Sequence, residues 1–297
     1  MKSAARGPIR IGISGWRYRP WRGVFYPDKL PQRAELGFAA SHFPSLEING
    51  SFYSLQTPRS YRSWSADTPD DFVFAVKCPR YITHMRRLRD IDGPLANFFA
   101  SGVLLLERKL GPMLWQFPPH LKFDPERWSA FLEKLPTTLP AASRCAQTHN
   151  ERVRQFEWPA NPPRRRLRHA VEIRNDSFRD PAFIKLLRKH EVALVVADTA
   201  GKWPYVEDAT TDFMYLRLHG DKELYASGYS EAALQRWARR IDLWAQGGEP
   251  DDAVLIAPQL ARRKFAARAV YCYFDNDIKV RAPFDAKRLG EILGARA

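Results

Sequence analysis

Residues 168–178, RHAVEIRNDSF, are where the chain first shows what kind of protein it encodes. Ala170, Val171 and Ile173 predict a short buried strand, which Glu172 and Arg174 interrupt with charge. Residues two apart in a strand point to the same face. A buried ion is costly unless it is paired and hydrogen-bonded. The end of this strand therefore predicts either a site or a strong ion pair. The pattern recurs along the chain. LEIN places Glu47 and Asn49 on one face of a strand, and MYLRLHG places Arg217 and His219 on one face of another.

Outward from that strand, apolar runs alternate with helical patterns in both directions. Upstream, residues 9–14, 45–49, 72–77 and 112–117 read as strands, with helical stretches at 33–43, 59–66 and 94–109. Asp124-Pro125 opens a further helix with an N-cap and a proline at its first position. Trp128, Phe131, Leu132 and Leu135 give that helix one apolar face. Downstream, Asp180-Pro181 opens a helix whose buried side is Phe183, Ile184, Leu186 and Leu187. Strands follow at 192–198, 212–219 and 269–274, with helices from Ser230 and over 285–293. Residues 141–166 and 247–268 read as irregular insertions after the fourth and seventh strands.

Eight strands alternating with helices predict parallel βα units, an α/β protein. Eight such units close into a (β/α)₈ TIM barrel, which typically needs ~250 residues, so residues 1–297 are expected to form one barrel domain. An open doubly wound sheet has less support, since neither G-x-G-x-x-G nor a P-loop is present.

The totals set limits. Apolar content of 45% and aromatic content of 13% indicate a globular chain. No apolar run reaches the ~18 residues of a membrane span. The first ten residues lack a signal-peptide core, so a cytoplasmic location is expected. Cys78, Cys145 and Cys272 are odd in number and form no C-x-x-C, which fits a reducing compartment without structural zinc. Cys78 and Cys272 read as core residues. The net charge of +14 points to anionic partners, nucleic acid or phosphorylated metabolites. A general drift towards surface arginine, as in Arg86-Arg87 and Arg239-Arg240, would give the same total.

Functional residues of a barrel lie at the C-terminal strand ends. Collected there are Ser14, Glu47, Asn49, Lys77, Gln116, Glu172, Arg174, Asp198, Arg217, His219, Asn276 and Asp277. The loops that follow are aromatic. GWRYRPWRGVFYP interleaves Trp16, Tyr18, Trp21, Phe25 and Tyr26 with arginine, and Phe52, Tyr53, Tyr81 and His84 come next. Such faces can stack on bases or sugar rings. Trp21 reads as a loop anchor and Trp16 as a site residue.

ISGWRYRPWRGVFYP, LEINGSFY, the segment from Lys77 to His84, LGPMLWQFPP, VEIRNDSF, YLRLHG and YFDND together resemble the DUF72, or YecE-like, family. The resemblance runs over almost the whole chain and implies a TIM barrel, but no established reaction. It also directs attention to Gly15, Trp16, Tyr26, Glu47, Asn49, Phe52, Tyr53, Lys77, His84, Gln116, Glu172, Arg174, Arg217, His219, Gly220, Asn276 and Asp277. The chain departs from the family pattern at Gly50-Ser51, at Phe178 where tryptophan is usual, and at Asp275 where asparagine is common.

An enzyme acting on a small anionic substrate is the leading expectation. Arg174, Arg217 and Lys77 would hold a phosphate or carboxylate, assisted by Trp16, Asn49, Tyr53, His84, Gln116 and Asn276. Glu47 or Glu172 would be the general base and His219 its acid partner. The two arginines would face Glu172 and Asp198 as counter-charges, leaving an open guanidinium for the anion. Hydrolysis, lyase chemistry and isomerisation all stay open. No cofactor is predicted. An alternative is divalent-metal chemistry in the manner of xylose-isomerase-like barrels and apurinic-site nucleases, with Glu47, Glu172, Asp198, His219 and Asp277 as ligands. A second alternative is non-catalytic binding of nucleic acid or protein. The oligomeric state is left open by the sequence.

Overall fold

Alternation of side chains along each strand builds this molecule, seen here in a computed structural model that describes residues 5–294. Eight parallel strands hydrogen-bond in chain order and close on themselves. They are β1 (Ile9–Ser14), β2 (Ser45–Ile48), β3 (Val73–Lys77), β4 (Leu110–Gln116), β5 (His169–Glu172), β6 (Ala193–Asp198), β7 (Phe213–Leu218) and β8 (Ala269–Phe274). Ile9 to Ile13 of β1 align with Val270 to Phe274 of β8, which shuts the ring. The helices are α1 (Glu35–His42), α2 (Gly50–Tyr53), α3 (Pro58–Ala66), α4 (Asp92–Ala100), α5 (Pro125–Lys134), α6 (Leu139–Gln147), α7 (Pro181–Lys189), α8 (Glu231–Ala245) and α9 (Ala282–Leu293). The (β/α)₈ barrel expected from the sequence is therefore present.

Outward-facing residues such as Ile11, Ile13, Leu46, Phe74, Trp115, Val171, Leu216 and Cys272 pack beneath the helices in one continuous core. Inward-facing residues form a second, smaller cluster: Ala75, Leu114, Ala170, Val195, Phe213, Tyr215, Tyr271 and Tyr273. Tyrosine fills the barrel only where its hydroxyl finds a partner. Tyr273 meets Ser45 Oγ at 2.7 Å, and Tyr215 donates to Glu47 Oε2 at 2.6 Å. Gly12 faces the same interior, where a Cβ would lie 1.8 Å from the Ser45 carbonyl oxygen.

The helix starts follow their caps. Asp124 Oδ1 accepts from Arg127 N at 3.1 Å and Asp180 Oδ1 from Ala182 N at 2.8 Å, each ahead of a proline. Two expectations are corrected. Residues 139–147, which overlap the start of the insertion expected over 141–166, form α6, because Thr138 caps it through Ala141 N and Pro140 suits its first turn. The helix expected over 94–109 breaks after α4, because Gly102 turns left-handed at φ 104° against Pro58, and a 3₁₀ segment (Val103–Lys109) follows.

Candidate active site at the barrel mouth

The inward positions at the C-terminal strand ends carry the charge. Ser14, Glu47, Lys77, Gln116, Glu172 and Arg217 all occupy them, and all are buried. Asp275, one residue beyond β8 and in step with Tyr271 and Tyr273, completes the ring at 13% side-chain exposure. Arg217 is the hub. Its Nε and Nη2 reach Glu47 side-on at 3.1 and 2.9 Å. Nη1 donates to Glu172 Oε2 at 2.9 Å, and Nη2 also reaches Asp275 Oδ2 at 2.8 Å and Ser14 Oγ at 3.1 Å. One guanidinium thus serves three carboxylates. Fork geometry on both sides is what makes such a buried arrangement tolerable.

The rest of the floor is tied to this hub. Glu47 also accepts from Ser14 Oγ and from Tyr215, so both of its oxygens are occupied. Asn49 donates to Ser14 Oγ at 2.8 Å. Glu172 Oε1 takes Arg174 Nε at 2.8 Å, and the Arg174 guanidinium lies 3.7 Å from the centre of the Trp203 ring. Burial pushes the Glu172 carboxyl up, but Arg174 and Arg217 outweigh it and hold the group well below the usual carboxylate range. Asp275 is held down in the same way, chiefly by Arg217 against the effect of burial. His219 Nδ1 stands 3.1 Å from Asp275 Oδ2, yet burial and the adjacent Arg217 lower its imidazole, which favours the neutral ring.

Above this floor lies a cleft of about 640 Å³. Trp16, Tyr18, Tyr53, Lys77, Tyr225, Asp275 and Asp277 line it. Gly15 turns the chain out of β1 at φ 79° and so delivers Trp16 and Tyr18 to the rim. Tyr26 donates to the Trp16 carbonyl at 2.6 Å and fixes that turn, while Trp21 is fully buried as an anchor. Trp16 packs edge-on against Trp64 at 5.3 Å. Tyr225 holds φ 63°, a left-handed conformation that bulky residues rarely adopt, and sits edge-on to His219 at 5.2 Å. His84 belongs to a single π-helical turn (Tyr81–Met85), an irregularity that often accompanies sites.

Proton affinities at the cleft diverge. Burial and neighbouring Arg217 bring the Lys77 amine down to about 8. Burial and the Asp275 charge push the Asp277 carboxyl up to about 6. Burial, together with Arg174, Lys77, His120 and Arg80, brings His84 down to about 4.

The sequence-derived residues separate into three groups. Trp16, Asn49, Tyr53 and Lys77 border the cleft. Glu47, Glu172, Arg217 and His219 converge as expected but lie under its floor, each at 1% exposure or less. Arg217 therefore presents no open guanidinium; its donors are committed to Glu47, Glu172 and Asp275 rather than to Asp198. Gln116 is buried beside Glu172 in the strand register, and His84 meets Phe52 edge-on at 5.2 Å. Asn276 does not join the site. Its parity is opposite to that of Asp275, so its amide turns outward to Asp285 Oδ2 at 2.8 Å and the Ser227 carbonyl at 2.9 Å. Asp198 is out of phase for the same reason and accepts from Tyr229 at 3.1 Å. The set considered for a divalent metal consequently does not gather. Among the described residues no three histidine, cysteine, aspartate or glutamate side chains come together to hold a metal ion. From the sequence Asp275 stood out only as a departure from the family pattern, and Tyr215, Arg80 and Trp203 were not singled out at all. The alternation Tyr271, Tyr273, Asp275 was the available signal for the first.

Fold and mouth define a (β/α)₈ barrel protein with a polar site at the C-terminal end of its strands. Residues 10–297 match the family described as a protein of unknown function, DUF72, and the chain belongs to that family. It is 35% identical over 116 residues to the UPF0759 protein YunF of Bacillus subtilis, covering 37% of this chain and 40% of YunF. It is 30% identical over 133 residues to the UPF0759 protein YecE of Escherichia coli, covering 43% of this chain and 44% of YecE. The matched stretches thus span less than half of either relative. A DUF72 family structure from Thermotoga maritima superposes with a TM-score of 0.70 at 26% identity, over 97% of this chain and 99% of that one. One from Enterococcus faecalis gives 0.69 at 18% identity, over 97% and 96%. No helix among the described residues is long and apolar enough to cross a membrane.

Proposed function

We propose that the mouth is the active site of an enzyme that moves protons on a small substrate carrying a phosphate or carboxylate. The observation that carries this reading is the division of charge across the mouth. On the β3–β5 side, Lys77, Arg80, Arg174 and His120 crowd His84, and of these only Arg174 has a carboxylate partner among the described residues. On the β8–β1 side, Asp275 and Asp277 border the cleft. An anionic group fits the first half and a reacting centre fits the second. Lys77 and Asp277, with proton affinities near neutrality and on either side of it, suit an acid and a base, respectively, at the same cleft. Glu47, Glu172 and His219 then act from beneath, as a fixed field around Arg217. Hydrolysis, elimination and isomerisation all use such a pair. Calorimetric titration with inorganic phosphate at low ionic strength tests the anion half. Wild type should bind, and Arg174→Met should bind about tenfold more weakly, the lower end for a charged hydrogen bond. Equal affinity, or no heat from wild type at millimolar phosphate, sinks the reading.

A second reading, nucleic-acid binding, is supported by a separate groove of about 670 Å³ beside the mouth, lined by Arg86, Arg87, Arg89, Lys122 and Arg127. Asp90 and Asp124 pair with Arg86 and Arg127, and the other three have no carboxylate partner among the described residues. Anisotropy of a labelled oligonucleotide should then fall steeply as salt rises, and an absence of binding at low salt removes this reading.

A further inference from the structure

We propose that Lys77 is a nucleophile that condenses with an aldehyde or ketone group of the substrate to form an imine. This rests on the reading of the mouth as an active site and adds the substrate class, a carbonyl compound that also bears an anionic group.

The geometry singles out this amine. Lys77 ends β3 with only 8% of its surface exposed, and its Nζ makes no hydrogen bond to any described residue. Its Nζ sits over the Phe52 ring, 4.4 Å from the centroid. The side chain opens into the cleft between Tyr53, Trp16 and Asp275. Lys109, the other buried lysine among the described residues, shows what a structural amine looks like. Its Nζ is held by the backbone oxygens of Ser65 and Thr68, at 2.5 and 2.8 Å. Among the described residues Lys77 has neither carbonyl oxygens nor a paired carboxylate, and burial of its side chain disfavours the charged amine. A protein gains nothing in stability from placing it there.

Desolvation and a neighbouring cation are the two conditions that make a lysine amine nucleophilic, and both are present. With its amine at about 8, Lys77 at pH 7 is neutral roughly 300 times more often than an ordinary lysine. The Asp277 carboxylate first takes a proton from the Lys77 ammonium. The Nζ lone pair then forms the C–N bond while the carbonyl π pair moves to oxygen, which receives that proton from the Asp277 carboxyl. Asp277 takes a second proton from the nitrogen of this adduct and passes it to the carbinolamine oxygen, which leaves as water while the nitrogen lone pair forms the C=N bond. Ammonium plus carbonyl become iminium plus one water, with no change in net charge and no redox partner. Asp275 and Asp277 provide negative charge beside the iminium.

The test is reductive trapping with borohydride at pH 7, using glyceraldehyde and glyceraldehyde 3-phosphate separately as probes, followed by peptide mapping of the wild-type protein. Lys77 should carry at least ~10-fold more adduct than exposed Lys122 or buried Lys109, and the phosphorylated probe should label it more. Adduct at Lys122 equal to or above that at Lys77 overturns the imine. Preferential labelling of Lys77 by both probes equally supports the imine while overturning the anionic-substrate reading on which its substrate class depends.

Discussion

Arg217 and Glu47 meet side-on across the barrel, at 2.9 and 3.1 Å, from strands β7 and β2 that are not neighbours in the sheet. The pair spans the interior, and Tyr215 props the same carboxylate from the layer below. Everything at the mouth is arranged around this contact.

Removing the hub should therefore be severe. Arg217→Met leaves Glu47, Glu172 and Asp275 buried without their shared cation. Unpaired buried charge of this kind costs about 3–5 kcal/mol. Urea denaturation is the measurement, and a loss below about 1 kcal/mol would mean that the three carboxylates find other partners.

Lys77→Met should do the opposite. The folded amine has its affinity lowered to about 8 while the unfolded one keeps an ordinary lysine value. The folded state thus binds fewer protons between those values, and stability rises as pH climbs through that window. Below it, the burial of a charged amine is a standing cost of roughly 3 kcal/mol. The methionine variant should be more stable than wild type at pH 7, and the gap should close by about pH 10.5, the ordinary value for lysine. A gap that stays constant with pH would assign the difference to packing.

Acid should unfold the protein through the mouth. Glu172 and Asp275 are held below the usual carboxylate range, so their contribution is complete above an ordinary carboxylate value of about 4 and is lost as pH falls through their depressed values. Glu172→Gln should flatten that limb of the stability curve. An acid limb as steep as that of wild type would place its origin elsewhere.

Asp275→Asn should release Asp277. The Asp275 charge helps to hold the Asp277 carboxyl at about 6, and its removal should lower that midpoint towards ordinary carboxylate values. Carbon-13 NMR titration of the side-chain carboxyl reads it directly. An unmoved midpoint would leave burial as the whole cause.

Much of this was legible in the sequence, for a simple reason. Strand runs such as IRIGIS and FMYLRL are periodic and apolar, and period-two alternation carried Glu47, Glu172 and Arg217 to the same interior face. The same rule, applied one residue out of phase, misplaced Asn276 and Asp198. Depth was not legible. Nothing local in LEIN says that Glu47 lies beneath the cleft with both oxygens taken, because its partners come from residues 14, 215 and 217. The solitude of Lys77 is equally non-local, since it depends on the absence of an acceptor contributed by distant loops. Asp275 stood out only as a departure from the family pattern, and the structure shows where its extra charge goes.

The hub also bears on when the site comes into being. Arg217 joins side chains from β1, β2 and β5 to one just beyond β8, so its ligands arrive from both sides of the seam where β1 meets β8. A chain that has laid down seven strands holds an arginine and two of its three carboxylates, but not the third. Ring closure brings the last of the three carboxylates to the guanidinium, so the complete charge cluster belongs to the closed barrel alone.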